Sequence, residues 1–456
     1  IPWRYTHRHA YLPMSKFSIS ITDHEEHSFQ ETQPPYWRAE RSARRNKSFK
    51  EANLNRIEYA EDRFSGSTGS TIYLGDAMPK EFYGNIFTGD VSGNLVHRDI
   101  LSPSESSPVM VAKRAESEKN MEFISSTDPW FRPVTFSVGP DGYLYMLDYY
   151  RQHIETPVSI PDDLKADMNF IAGSDMGRIY RVKPVNSSYK SVKVNLNAVS
   201  SIQLLNYLSY ENGWYRTHAH RLLVERQDKS VVKTAKLLLN KSKDPRTRLH
   251  LLYVLEGLNA LDLAVIKKGL QDSSPGVREN ALMLAERYSE TFPTILKMLN
   301  DPSQRVKLQA TLSLGQFKSQ EIIAAFSKLI QSQGQNEWLR VAVLSSELGS
   351  SPDLLESMVG QNAFLQNPET WKLRFLQDLS YIIAARNNKS QWVSYLNLLS
   401  LPTMSDLNVQ TAALKGLKLG LTKNGALKEI AGQLNTGLES EVKASFQTLR
   451  QLYSPH

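Results

Sequence analysis

Three short stretches gather side chains suited to acid–base and anion chemistry: His97-Arg98, Asp128 with Arg132, and Asp148 with Arg151, His153 and Glu155. Each lies at or near the end of an expected strand, where a rigid scaffold commonly presents functional groups on loops. The same residue types also make the ion pairs that tie neighbouring sheets together. The plain alternative has Asp128 capping the Pro129-Trp130 turn, Arg132 paired with Asp128 or Asp148, and the histidine on the surface. Asp90, in Gly89-Asp90-Val91-Ser92-Gly93-Asn94, and Asp141, in Gly139-Pro140-Asp141-Gly142, offer oxygens for calcium. Neither has the dense alternating carboxylates of a calcium loop, and turn formation explains both. Gly66-Ser67-Thr68-Gly69-Ser70 lacks the Gly-Lys-Ser/Thr ending of a phosphate loop. His7, His9, His24 and His27 stand beside Asp23, Glu25 and Glu26, but no helix sets their spacing, so a solvated segment and no metal site are expected. Arg41, Arg44, Arg45, Lys47 and Lys50 read as a solvated face rather than an anion site.

The elements that must position these residues differ between the two halves. From Ser70 to Val182, short apolar or alternating runs are separated by turn residues. Asn85–Asp90 and Leu95–Arg98 flank Ser92-Gly93-Asn94 as a hairpin. Val134–Val138 and Tyr143–Leu147 flank Gly139-Pro140-Asp141-Gly142, in which Pro presets φ, Asp bonds its own backbone and Gly accepts positive φ. Gly177–Val182 reads as a last strand ahead of Pro184. Residues 28–62 show no clear period. After residue 185, Gly and Pro thin out and Leu-rich helical periods begin.

In that second half an apolar anchor followed by a basic or polar residue recurs: Tyr215-Arg216, Leu249-His250, Val277-Arg278, Val306-Lys307, Leu339-Arg340, Trp371-Lys372, Val409-Gln410 and Val442-Lys443. Steps of about 30 residues fit helical hairpins of the HEAT type, somewhat shorter than usual. Asp244, Asp272 and Asp301 each precede an anchor by five residues, as a helix N-cap would. The basic residue after each anchor is expected to pair with the capping Asp rather than to line a ligand face. Leu251, Leu252, Ala281, Leu282, Leu284, Ala310, Leu312 and Leu314 are the expected core.

Composition narrows the classes. At 456 residues, 41% hydrophobic and 22% charged, the chain should fold as two or more domains. A net charge of +7 with scattered basic residues does not predict nucleic-acid binding. The chain has no cysteine, which excludes disulfides, thiolate metal sites, a catalytic thiol and CxxCH haem attachment within it. No stretch approaches the roughly 18 to 20 apolar residues that span a bilayer.

The series Gly84–Phe87, Gly89–Arg98, Phe123–Val134, Gly139–Tyr145 and Gly177–Val182 resembles the multidomain membrane-bound dehydrogenase-like proteins of planctomycetes and related bacteria. In that family a propeller similar to quinone-dependent glucose/sorbosone dehydrogenases precedes HEAT repeats and, usually, a c-type cytochrome domain. The resemblance implies an extracytoplasmic, periplasmic protein that oxidises sugar or alcohol CH–OH groups with a quinone such as PQQ. It also implies a histidine as general base and arginines holding the cofactor's carboxylates. His97, Arg132 and Asp128 are the positions expected to be catalytic, and Arg98, Asp148 and Arg151 those expected to bind cofactor. The cytochrome module, and haem c with it, is not expected in this chain, for want of cysteine.

The expected fold is therefore multidomain: a partial, all-β propeller followed by an all-α HEAT-like superhelical solenoid. Residues 1–69 form an irregular segment with incomplete blades, 70–185 the C-terminal blades, 186–198 a linker, and 199–456 the helical repeats. Residues 1–185 have length for about three or four blades where such a propeller has six, so further blades are expected upstream of Ile1. The alternative is a non-catalytic protein whose domains bind a polysaccharide or a protein partner.

Overall fold

The computed structural model describes residues 27–185, 188–191, 193–359, 364–366 and 368–423. Its described residues form two compact units, one within 27–103 and 110–261, the other within 104–109 and 262–423.

The first unit opens with helix α1 (Tyr36–Glu51), which follows Pro35 and buries Trp37, Arg38 and Ser42. The sequence period does not announce it, because its inward face carries almost no aliphatic residue. Strands β1 (Ser67–Ile72), β2 (Ile86–Asp90), β3 (Leu95–Pro103) and β4 (Met110–Arg114) form an antiparallel sheet in chain order, with β5 (Ile124–Ser125) pairing the start of β3. A second antiparallel sheet runs β6 (Pro133–Val138), β7 (Leu144–Asp148), β8 (Arg178–Val182). The short helix α2 (Asp162–Lys165) lies in the long β7–β8 connection.

The turns work as their residues dictate. Asp90 accepts backbone N–H groups from Ser92 and Gly93 on Oδ1 and from Ser65 and Gly66 on Oδ2, at 2.8–3.0 Å. Four backbone donors occupy this carboxylate, which is turn chemistry rather than a calcium ligand set. Gly142 has φ +77°, a conformation that L side chains rarely adopt, and it closes the β6–β7 hairpin.

The sheets stack through Tyr73, Met78, Phe87, Val96, Phe131, Phe136, Leu144 and Met146. Burying each such side chain contributes about 1.5–3 kcal/mol. Where β1 meets β6, the Thr68 and Thr71 hydroxyls donate to the Val134 and Phe136 carbonyls at 3.2 Å. A Cβ on Gly69 would sit 2.5 Å from the Val134 oxygen, so only glycine permits this approach. The hydroxyl of fully buried Tyr73 accepts from the Ala77 and Met78 N–H groups and donates to the Gly142 carbonyl at 2.6 Å. Burial pushes its pKa up to about 12, which keeps that donor protonated.

Helices α3 (Ser201–Tyr207), α4 (Gly213–Arg226), α5 (Val232–Lys241) and α6 (Pro245–Gly257) complete this unit as two hairpins. Ser200 and Gln203 make a reciprocal capping box at the start of α3. The second unit continues with α7 (Leu263–Leu270), α8 (Pro275–Ala285), α9 (Phe292–Lys297), α10 (Gln304–Leu314), α11 (Glu321–Gln333), α12 (Glu337–Leu344), α13 (Pro352–Val359), α14 (Thr370–Arg386), α15 (Lys389–Leu399) and α16 (Leu407–Lys423). The eight expected core residues are all buried. The anchor pair Val442-Lys443 lies outside the described residues.

The chain is thus a strand-rich region of antiparallel sheets followed by a helical region. Among the described residues neither sheet closes on itself, and no helix is long and apolar enough to cross a membrane.

The repeat chemistry departs from expectation in an informative way. Asp244 is the N-cap of α6, but Asp272 and Asp301 stand two residues before the N-caps Ser274 and Ser303 and accept their N–H groups at 2.8 and 2.9 Å. Arg216, Arg248, Arg278 and Arg340 each donate Nη1 to the carbonyls six and five residues earlier, at 2.5–3.2 Å. Of the basic residues that follow an anchor, Arg216, Arg278 and Arg340 therefore clasp their own preceding loops, as does Arg248, whereas His250 meets His220 and Lys307 donates to Gln333. Arg278 also grips Asp301 of the next repeat through two 2.8 Å bonds.

Candidate functional site

His97 enters from β3, paired in register with Thr88 of β2. It is buried, contrary to the surface position that the plain alternative gave it. Its Nδ1 meets Glu122 Oε2 at 2.8 Å and its Nε2 meets Asp99 Oδ1 at 3.0 Å. Glu122, whose side chain is wholly buried, is also gripped by Arg114 at 3.1 Å, and Phe64 packs edge-on against the imidazole at 4.9 Å. Burial opposes protonation, but the bonds to Asp99 and Glu122 outweigh it and raise the His97 pKa to about 9. The ring is therefore cationic at neutral pH, with both nitrogens donating, and has no lone pair for taking a proton from a substrate hydroxyl.

Arg98, the next residue, points its Nε and Nη2 at Glu118 Oε1 and lies over the Phe82 ring at 4.6 Å. Its fork is spent on a single carboxylate oxygen.

Arg132 sits at the head of β6. Its backbone N–H donates to Asp148 Oδ1 at 2.8 Å, while Nε, Nη1 and Nη2 donate to the carbonyls of Arg151, Val91 and Gln152 at 3.0, 2.6 and 2.9 Å. The expected guanidinium pairing with Asp128 or Asp148 is not formed; the side chain staples the β2–β3 turn to the β7–β8 connection. Burial lowers its pKa, and Glu155 opposes that. Asp148 Oδ1 also accepts the Tyr150 N–H at 2.9 Å and so holds that residue at φ 47°, while Oδ2 has no hydrogen-bond partner. Arg151 donates to the carbonyls of Tyr149, Tyr150, Gly173 and Ser174. Asp128 caps its turn as expected, accepting Trp130 N–H at 2.9 Å, and lies 3.9 Å from Arg178.

The structure brings Arg132, Asp148 and Arg151 into one knot. His97 and Arg98 lie in two others, and no hydrogen bond or ion pair joins His97 to Arg132. A carboxylate-bearing quinone needs guanidinium donors directed into open space. Those of Arg98, Arg132 and Arg151 are given to Glu118 and to backbone carbonyls, so these residues do not fit such a cofactor. Four partners escaped the sequence reading: Asp99, Arg114, Glu118 and Glu122. The charged run Arg114–Glu122, beside a buried-strand histidine, was the available signal.

The other candidates resolve similarly. Arg41 and Arg45 share Glu58, Arg44 pairs with Glu40 and Asp163, and Lys165 pairs with Asp162, which leaves the groove they line without excess positive charge. His7, His9 and His24 lie outside the described residues. Among the described residues no group of three or more His, Cys, Asp or Glu could hold a metal.

Comparison with known families matches two parts of the chain. Residues 3–186 match a family described as a domain of unknown function (DUF7133), and residues 263–346 match HEAT repeats. No curated protein matches the chain.

Proposed function

We propose that this chain is the blade-and-scaffold part of an extracytoplasmic dehydrogenase-like protein. In this reading the two sheets are neighbouring blades of a β-propeller, and the helical hairpins form a HEAT array that braces the blades or docks a protein partner. The observation that carries it is the stacking of the sheets. Each is an antiparallel meander whose first strand, β1 or β6, lies at a sheet edge, and these two strands approach closely through Gly69. Successive propeller blades pack about their axis in this manner.

Oxidation of sugar or alcohol groups with a quinone is the activity that the resemblance attaches to the whole protein. The six polar residues serve it as ties between loops and strands and not as reacting groups. The engagement of these side chains with other groups of the chain equally favours the second reading, a non-catalytic protein that binds a polysaccharide or a protein partner. Titrating the purified chain with pyrroloquinoline quinone, with dye-linked glucose oxidation as a parallel readout, tests the assignment. No saturable binding is expected. Micromolar binding abolished by Arg132→Gln or His97→Gln in a folded variant would overturn the structural role given to these residues.

A further inference from the structure

We propose that His220 and His250 form an acid-opened latch between the two helical hairpins of the first unit. His220 lies on α4 and His250 on α6, with their Nδ1 atoms 3.1 Å apart and their rings edge to face at 5.3 Å. A hydrogen bond at that distance requires complementary tautomers, one ring donating Nδ1–H and the other accepting. One added proton, on Nε2 of the donor ring, leaves this bond in place. A second proton falls on the accepting nitrogen and sets N–H against N–H between two cations.

The surroundings resist that charge. Burial lowers the pKa of His220, and no charged neighbour offsets it. Burial likewise lowers that of His250, to about 4, with His220 and Arg216 adding to the effect and Asp244 opposing it. Asp244 is itself engaged by Arg246 at 3.0 Å, and Arg216 is buried on α4. The pair titrates as one coupled unit, closed while it holds at most one proton and opened by the second.

Hydrogen exchange of the whole chain at pH 7 and pH 4, corrected for intrinsic rates, reads the latch directly. Protection of 217–226 and 249–257 is expected to fall at least tenfold at pH 4, and the fall is expected to vanish in His220→Gln/His250→Gln. Equal losses in the two proteins, or no loss in the wild type, would overturn the proposal. Ring titration by NMR is the second measurement: a His250 midpoint below 5 that rises in His220→Gln supports the coupling, and an unshifted midpoint near 6.5 refutes it.

Discussion

Replacing His97 by Gln removes a cation held between Asp99 and Glu122 while keeping a polar side chain of similar reach. The His97 pKa rises from 6.5 to about 9 on folding, so the native state binds this proton more tightly than the unfolded state. Its stabilisation is then fully present below pH 6.5 and is lost as pH rises through 9. At about 1.4 kcal/mol per pKa unit the shift corresponds to about 3 kcal/mol, or roughly 300-fold in an opening equilibrium. A chain with two compact units does not unfold in one step, so the appropriate readout is local exchange of the β3 and β4 amides. Wild-type protection should exceed that of His97→Gln by about two orders of magnitude at pH 6, and the gap should close by pH 10. Groups remote from His97 that titrate in this range are common to both proteins and cancel in the difference. A gap independent of pH, or an imidazole that titrates near 6.5 by NMR, would refute the buried ion-pair account and restore His97 as a candidate base.

Two further outcomes follow from the packing. Tyr73→Phe deprives the Met78 N–H and the Gly142 carbonyl of their buried partner, which should cost about 2 kcal/mol and appear as faster exchange in residues 77–78 and 142–146. Leu308→Asp places a charge among Val109, Leu312, Trp338 and Ala342 and should destabilise the second unit by more than about 4 kcal/mol, whereas Leu308→Met should cost less than about 1.5. Limited proteolysis within residues 262–423 distinguishes the two substitutions, and equal resistance in both would count against a buried Leu308.

Strand and hairpin positions were legible because turn chemistry is local. Gly139–Gly142 and Ser92–Asn94 carry their conformational demands in the residues themselves, and the structure realises both turns. The apolar periods of α6, α8 and α10 were legible for the same reason. Helix α1 was not, since it buries Trp37, Arg38 and Ser42 rather than an aliphatic stripe. The polar candidates were located but their partners were not. Arg132 bonds carbonyls 19, 20 and 41 residues away, and backbone carbonyls leave no mark in sequence. Nor does sequence distinguish a histidine awaiting a substrate from one already enclosed by Glu122 and Asp99.

The arginine clasps carry a consequence for how such an array changes over time. Arg216, Arg248, Arg278 and Arg340 each close a ring within their own seven-residue stretch, so part of what holds the bend ahead of each of these helices travels with the module. Duplicating or deleting a whole module preserves every such ring, whereas inserting one residue inside a ring destroys it. Lengthening by copies is therefore the permitted route of change for the helical half, and gradual growth of these particular bends is not.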